Sequence, residues 1–450
     1  MIIRRLLIAN RGEIAVRVLR TCRQLGIESV LAASEADMQS TAARLADRTF
    51  CIGAAPSAHS YLNVGAVMAA ALRTRADAIH PGYGFLSENA VLARACRESG
   101  IVFVGPTEQQ LAAVGDKLEA RRHAVAAGLP VVPGGPVASL AEASRLAHAI
   151  GWPVLIKAVG GGGGRGMKRV QEEAQLEQTL ELAMAEANAA FGDPRVYLER
   201  FVASGRHVEV QVLGDGEKVI HLGDRDCSIQ RRYQKLIEEA PAPDLPPALR
   251  TAMHAAAVKF GQRLSYRGAG TVEFLVDRAR GEFYFLEMNA RIQVEHPVTE
   301  AVTGVDLVAE QIAIAQGQEL RVQQVEVRTD GHAIECRINA EDSEHDFRPS
   351  PGTVTSAVFA AGPGIRVDTH IESGSCVPPF YDSLLAKIIV HADDRPACLA
   401  RLRTALANCR IEGVHTNIGL HTAVLASSGF AAGGVDTSFL TRFLAGGGNG

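Results

Sequence analysis

No Cys-x-x-Cys pair occurs in this chain; its eight cysteines, Cys22, Cys51, Cys96, Cys227, Cys336, Cys376, Cys398 and Cys409, are scattered. That spacing argues against a disulfide framework or a zinc site and for a reducing compartment, the cytoplasm. No run of about 18 apolar residues is present, and the apolar stretch behind Arg4 and Arg5 stops at Asn10 and Arg11. Neither a membrane span nor a signal peptide is expected. Charge of one sign is missing too: a net charge of −4 gives no electrostatic basis for nucleic acid or an anionic membrane as partner. Two phosphate-binding signatures are also absent. No Gly-x-Gly-x-x-Gly follows the first predicted strand, and no Gly-Lys-Ser/Thr loop feeds a helix.

What is present is a globular composition, 47% hydrophobic and 21% charged over 450 residues, enough for about two to four domains. Residues 1–114 alternate strands with amphipathic helices. Strands are predicted at 5–9 and 28–33 around a helix at 12–25. Further strands at 77–80 and 101–104 flank a helix that Ser87 is placed to cap. Such alternation predicts a parallel sheet with helices on both faces. The loop His80-Pro-Gly-Tyr83-Gly-Phe-Leu-Ser87 lies beyond a strand's carboxyl end, where open sheets place ligands, although a plain tight turn would read the same.

A second region opens at Gly115-Asp-Lys117 with a helix at 118–127 that Gly128 closes. A strand at 153–157 ends in Lys157 and is followed by five glycines at 160–164, then Arg165, Gly166 and a second strand from Met167. A long glycine hairpin between strands can fold as a flap over polyphosphate, its N–H groups donating, with Lys117 and Lys157 as point charges. Flexible linkers mix glycine with serine and rarely join two apolar strands. The strand through Glu199 runs to a hinge at Phe201 and Val202 whose backbone is placed to read an adenine edge. Alternation in 207–212 puts His207, Glu209 and Gln211 on the face opposite three valines. The polar segment 224–235, closing with Glu238 and Glu239, shows no periodicity and reads as a binding loop. A helix follows at 248–264, and past 330 the run 332–339 alternates, with Arg337 on the face of Glu335.

The densest chemistry lies in Glu287-Met-Asn289-Ala-Arg291-Ile-Gln293-Val-Glu295-His296. Glu287 and Asn289 share one face of a predicted strand. A hairpin with the strand before it, if its loop is odd in length, puts Glu273 opposite Glu287 or one diagonal step away. Carboxylates so placed repel unless a cation sits between them, and hard oxygens suit Mg2+ or Mn2+ holding nucleotide phosphates. Arg291, Gln293 and Glu295 add a fixed cation, an amide and a base. Any one of them alone reads as a solvated surface group; the combination reads as an active site.

Assembled in this order, the residues resemble the biotin carboxylase family, the ATP-grasp component of biotin-dependent carboxylases. The resemblance spans nearly the whole chain and rests on Ile8-Ala-Asn-Arg-Gly-Glu-Ile-Ala15, on the motif from His80 to Asn89, on Lys157 with its glycines, on Arg225-Asp-Cys-Ser, and on the stretch from Glu287 to Glu300. It implies an α/β and α+β fold in three parts. These are an N-terminal α/β domain at 1–114, an ATP-grasp core at 115–330 with a mobile glycine-rich lid at about 130–203, and a β-rich C-terminal domain at 331–450.

Carried over by motif, the resemblance implies ATP contacts at Lys117, Lys157, Gly162, Gly163, Gly164, Arg165, Gly166, Met167, Glu199, Arg200, Phe201, Val202, His207, Gln230, Tyr233 and Leu275. Glu273, Glu287 and Asn289 would hold the Mg2+ or Mn2+. Lys235, Arg291, Gln293 and Val294 would form the bicarbonate site with Glu295 as base, and Arg337 and Tyr83 would face biotin. Tyr233 departs from the family's usual histidine and carries no positive charge near neutral pH. Val159 replaces a common serine, and Gln24 an acid of the family's dimer interface, although a homodimer is still implied. No Ala/Val-Met-Lys-Met biotinylation motif occurs, so the biotin carboxyl carrier protein and the carboxyltransferase are expected to be separate polypeptides. The final acceptor stays open between acetyl-CoA, propionyl-CoA, a branched acyl-CoA such as methylcrotonyl-CoA, and urea. Two rivals remain: an ATP-grasp ligase joining a carboxylate to an amine, and a silent regulatory subunit that binds nucleotide, to which Tyr233 alone points.

Overall fold

The computed structural model describes residues 2–160 and 167–446. Its first sheet is parallel, in the order Arg48–Cys51, Glu28–Ala33, Arg5–Ile8, Ala78–His80, Val102–Phe103. The central strands are short apolar runs buried along their length, as strands covered by helices on both faces must be. The helix Gly12–Leu25 is stopped by Gly26 in the left-handed conformation at φ 67. The helix Ala90–Glu98 is capped by Asn89, not by Ser87: the Asn89 side chain accepts from the Leu92 amide at 2.9 Å. Ser87 lies two residues too early and is itself buried.

A second sheet is antiparallel, in the order Gly134–Val137, Val196–Arg200, Val154–Ala158, Met167–Val170. Leu140–Ile150 and Leu176–Phe191 pack their apolar stripes on it. Lys157 pairs with Met167, so the chain does run from strand to strand here. Gly162, Gly163, Gly164, Arg165 and Gly166 lie outside the described residues.

The third sheet organises the molecule. Eight antiparallel strands follow in the order Glu282–Asn289, Arg267–Asp277, Gly205–Asp215, Val219–Arg231, Gln234–Ala240, His332–Asn339, Leu384–Ala392, Ile365–Thr369. The segment 224–235 is therefore no loop but two strands, turned by Arg232 and Tyr233 at φ 47 and 67. Its polarity hid the strand period because both faces bury charge. Arg225 meets Glu209 on one face at 2.6 Å, and Asp226 meets Arg206 on the other, also at 2.6 Å. The apolar face is otherwise regular. Val208, Val210, Val212 and Phe274 enter a core with Phe260 of the helix Pro247–Arg263, and Ile334, Ile388 and Val390 pack against the helix Arg395–Ala407. Each such side chain contributes about 1.5–3 kcal/mol on burial.

The other face carries a row of charge. Register lines up Glu287, Glu273, Glu209 and Arg225 on four neighbouring strands. Glu238 stands opposite Glu335, and Arg337, Lys387 and Asp368 follow on the last three strands. Among the described residues no helix is long and apolar enough to cross a membrane.

Candidate active site

A cavity of about 1170 Å³ lies between the charged face of the large sheet and the second sheet. Its floor begins with Glu273 and Glu287, directly opposite in register, although not through an odd-length loop. Asp277 pairs with Glu282, the loop between them is even, and a bulge at Leu286 shifts the register by one and brings the two carboxylates together. Asn289 donates from Nδ2 to Glu273 Oε1 at 2.8 Å. Lys235 and the Gln293 amide reach the same oxygen, each at 3.0 Å, and His207 Nε2 lies 3.0 Å from the other one. Burial would push the Glu273 carboxyl up, but Lys235 and His207 hold it well below the usual range. Glu287 is less well compensated. Desolvation and the Glu273 charge push it up, only partly offset by Lys117 and His207. Two hard carboxylates side by side, one of them desolvated and short of positive charge, form a donor set that fits a divalent cation.

Beside them Lys235 is the pivot. Its ammonium lies 2.6 Å from Glu209, 3.0 Å from Glu273 and 2.7 Å from Glu295. Burial opposes the charge, yet these carboxylates raise Lys235 well above the ordinary lysine range. Glu295 also accepts from Arg337 at 2.8 Å. Despite burial, Lys235, Arg337 and Arg225 hold Glu295 well below the ordinary carboxylate range, so it stands ionised. Arg291 lies 3.0 Å from Glu88 and donates to Asn289 Oδ1 at 2.8 Å.

The remaining expected residues fall into place around this floor. Lys117, Lys157, Met167, Glu199, Phe201, Val202, His207, Gln230, Tyr233 and Leu275 line the cavity, as do Val294 and Tyr83. Lys157 pairs with Glu199, and Gln230 bonds His207 at 2.7 Å. Arg200 is the exception. Strand alternation turns its guanidinium away, over the Tyr284 ring at 5.3 Å and 4.0 Å from Asp277. Tyr233, at the tip of its hairpin, is 57% exposed on the rim.

Several residues that hold the site together were not legible as such. Arg225, fully buried, bonds Glu209, Gln211, Thr299, Thr271 and Gln293, and so fixes the Gln293 amide. Glu88 anchors both Arg291 and the Ala290 amide, the latter at 2.8 Å. Glu238 grips Arg337 Nε at 2.6 Å. The available signal was charge at inward positions of alternating strands, as at Glu209; Glu88 carried none beyond its place in the glycine motif.

An antiparallel sheet with paired carboxylates on its charged face, facing a smaller antiparallel sheet across a nucleotide-sized cavity, defines an enzyme of the ATP-grasp class. The family model "Carbamoyl-phosphate synthase L chain, ATP binding domain" matches residues 116–323, between "Biotin carboxylase, N-terminal domain" at 2–111 and "Biotin carboxylase C-terminal domain" at 335–442. A biotin carboxylase of Nostoc sp. is 52% identical over 439 residues, 97% of this chain and 98% of its own. The Campylobacter jejuni biotin carboxylase, solved as a β,γ-ATP complex, superposes with a TM-score of 0.95 at 45% identity, covering 98% of this chain and 99% of that one. A Hydrogenobacter thermophilus 2-oxoglutarate carboxylase domain dimer, solved with MgADP and bicarbonate, gives 0.94 at 44% identity over 99% and 98%. The chain belongs to the biotin carboxylase family.

Proposed function

We propose that this protein carboxylates biotin on a separate carrier protein, using ATP and bicarbonate, as the first half-reaction of an acyl-CoA carboxylase, acetyl-CoA carboxylase foremost. One observation carries the reading: Lys235 and Arg337 converge on Glu295 at 2.7 and 2.8 Å, beside the Glu273–Glu287 pair and in the same cavity as Lys117 and Lys157. The Campylobacter and Hydrogenobacter relatives, solved with nucleotide and with bicarbonate, support it.

Bicarbonate is a poor electrophile because delocalised charge shields its carbon, so it must be activated by phosphorylation. Glu273, Glu287 and Asn289 would hold a Mg2+ or Mn2+ ion that neutralises charge on the ATP phosphates. Arg291 and Lys235 hold the bicarbonate in line with the γ-phosphate, with Gln293 and Val294 bounding the anion. Glu295 takes the bicarbonate proton. Its depressed basicity becomes an asset here: as Lys235 turns from Glu295 to the incoming anion, Glu295 loses its strongest stabilising charge and becomes the better base when the proton is needed. The bicarbonate oxygen attacks the γ-phosphorus and ADP leaves, giving carboxyphosphate, which splits into CO2 and phosphate. The phosphate removes the N1′ proton of biotin, Arg337 stabilises the ureido enolate, and N1′ attacks CO2.

A reducing cytoplasm is part of the proposal, supported by eight free thiols, and so is a homodimer, the form of the Hydrogenobacter relative. No residue of the cavity favours a silent subunit. Tyr233 sits on the rim, and the charged set around Glu295 does not involve it. The test is ATP hydrolysis with bicarbonate and biotin supplied together or singly. Glu295→Gln is expected to lower biotin carboxylation by about 10²–10⁴-fold, and unchanged turnover would remove Glu295 as base.

A further inference from the structure

Behind the wall that carries Arg337 lies a buried ion pair with no part in the steps above. Lys387, fully buried, stands in register between Arg337 and Asp368 on the large sheet. Its ammonium is 3.1 Å from the Glu13 carboxylate and donates to the Val294 carbonyl at 2.8 Å. Asp368 is farther, at 4.0 Å, and already engaged by Arg366 at 2.7 Å and Arg20 at 3.2 Å. Glu13 comes from the first turn of the helix Gly12–Leu25, in the parallel-sheet domain, and is 2% exposed. Its other oxygen accepts the hydroxyl of Tyr83. A lysine and a glutamate withdrawn from water are costly, and an apolar pair of like volume would pack without that penalty. What the charged pair supplies is direction, one hydrogen bond to each of two groups on the cavity wall, from a strand of the large sheet and a helix of the parallel-sheet domain.

We propose that Lys387 and Glu13 are positioning residues for biotin: Lys387 fixes the Val294 carbonyl and, through Glu13, the Tyr83 hydroxyl, so that the biotin-facing Tyr83 keeps one spacing from the bicarbonate side of the wall at Val294. The inference rests on the assignment of Tyr83 and Arg337 to biotin. Neither buried group lines the nucleotide end of the cavity, marked by Lys117 and Lys157, so ATP binding is spared.

The experiment compares Lys387→Met, Glu13→Ala and Tyr83→Phe by steady-state kinetics with free biotin and with ATP as the varied substrate. The first two are expected to raise the KM for biotin about tenfold, the worth of one positioning hydrogen bond, while the KM for ATP changes less than about twofold. Lys387→Met leaves the Glu13 carboxylate buried without its cation. If that variant does not fold, the neutral pair Lys387→Met/Glu13→Gln carries the same expectation. A folded double variant with unchanged KM for biotin, when Tyr83→Phe raises it, overturns the inference alone. Equal rises for biotin and ATP overturn it too, as general loosening. A Tyr83→Phe enzyme with unchanged KM for biotin overturns the biotin assignment itself, and the inference with it.

Discussion

Glu238 shows how far a buried residue can depart from its solution chemistry. Burial pushes its carboxyl up to about 7, with Arg337 opposing and Glu295 adding to the rise. Below that pH Glu238 keeps its proton and Arg337 answers to Glu295 alone; above it the guanidinium is shared between two carboxylates. The group titrates as a unit. A limb near pH 7 is therefore expected in kcat/KM for biotin, and Glu238→Gln should abolish it, as rate measurements between about pH 6 and 9 will show. Glu287 makes the complementary case. Its carboxyl is raised by burial and by Glu273, so Glu287→Gln relieves repulsion. The expected result is a higher unfolding midpoint without metal, by calorimetry, together with loss of Mg2+-dependent nucleotide binding. Stability and function pull against one another at that position.

Among the elements, the strand Arg267–Asp277 has the most to answer for. It pairs on one side with the strand of Glu287 and on the other with that of Glu209. Its even-numbered residues Val272, Phe274 and Val276 are buried in the core while Glu273 faces the cavity. Phe274→Ala should cost about 3–5 kcal/mol by urea denaturation, because it empties a fully buried aromatic site. It should also weaken metal-dependent ATP binding, since packing on one face fixes the register that brings the carboxylates together on the other. The opposition of Glu273 and Glu287 was legible only in part: alternation puts Glu287 and Asn289 on one face, but the even loop by itself would set Glu273 against Leu286, and it is the bulge there that brings the carboxylates opposite. The cap at Asn89 and the strands through 224–235 were not legible. The first turned on which of two nearby polar residues met the helix end. The second needed partners on other strands, Glu209 for Arg225 and Arg206 for Asp226, before its charges made sense as interior groups.

For the whole molecule, buried histidines couple folding to pH. Burial holds His80 and His421 down at about 4 and His370 at about 3. Their folded values lie below the unfolded value of about 6.5, so the unfolded chain binds more protons in that window. The stability they contribute is complete above about pH 6.5 and is lost as pH falls toward 4. Denaturant midpoints should fall over this interval, and His421→Gln should flatten the slope in part.

Sequence by itself determined the local matter: apolar periods that make strands and helices, the hairpin that carries two carboxylates, and a set of motifs specific enough to name a family. Tertiary structure alone decided which charge answers which. Glu13 reaches Lys387, Glu88 reaches Arg291 and Lys235 reaches Glu295 across intervals of chain that carry no mutual signal. The reason is physical. A buried ion needs its partner at about 3 Å, and only the closing of one eight-stranded sheet against its neighbours brings those partners within reach.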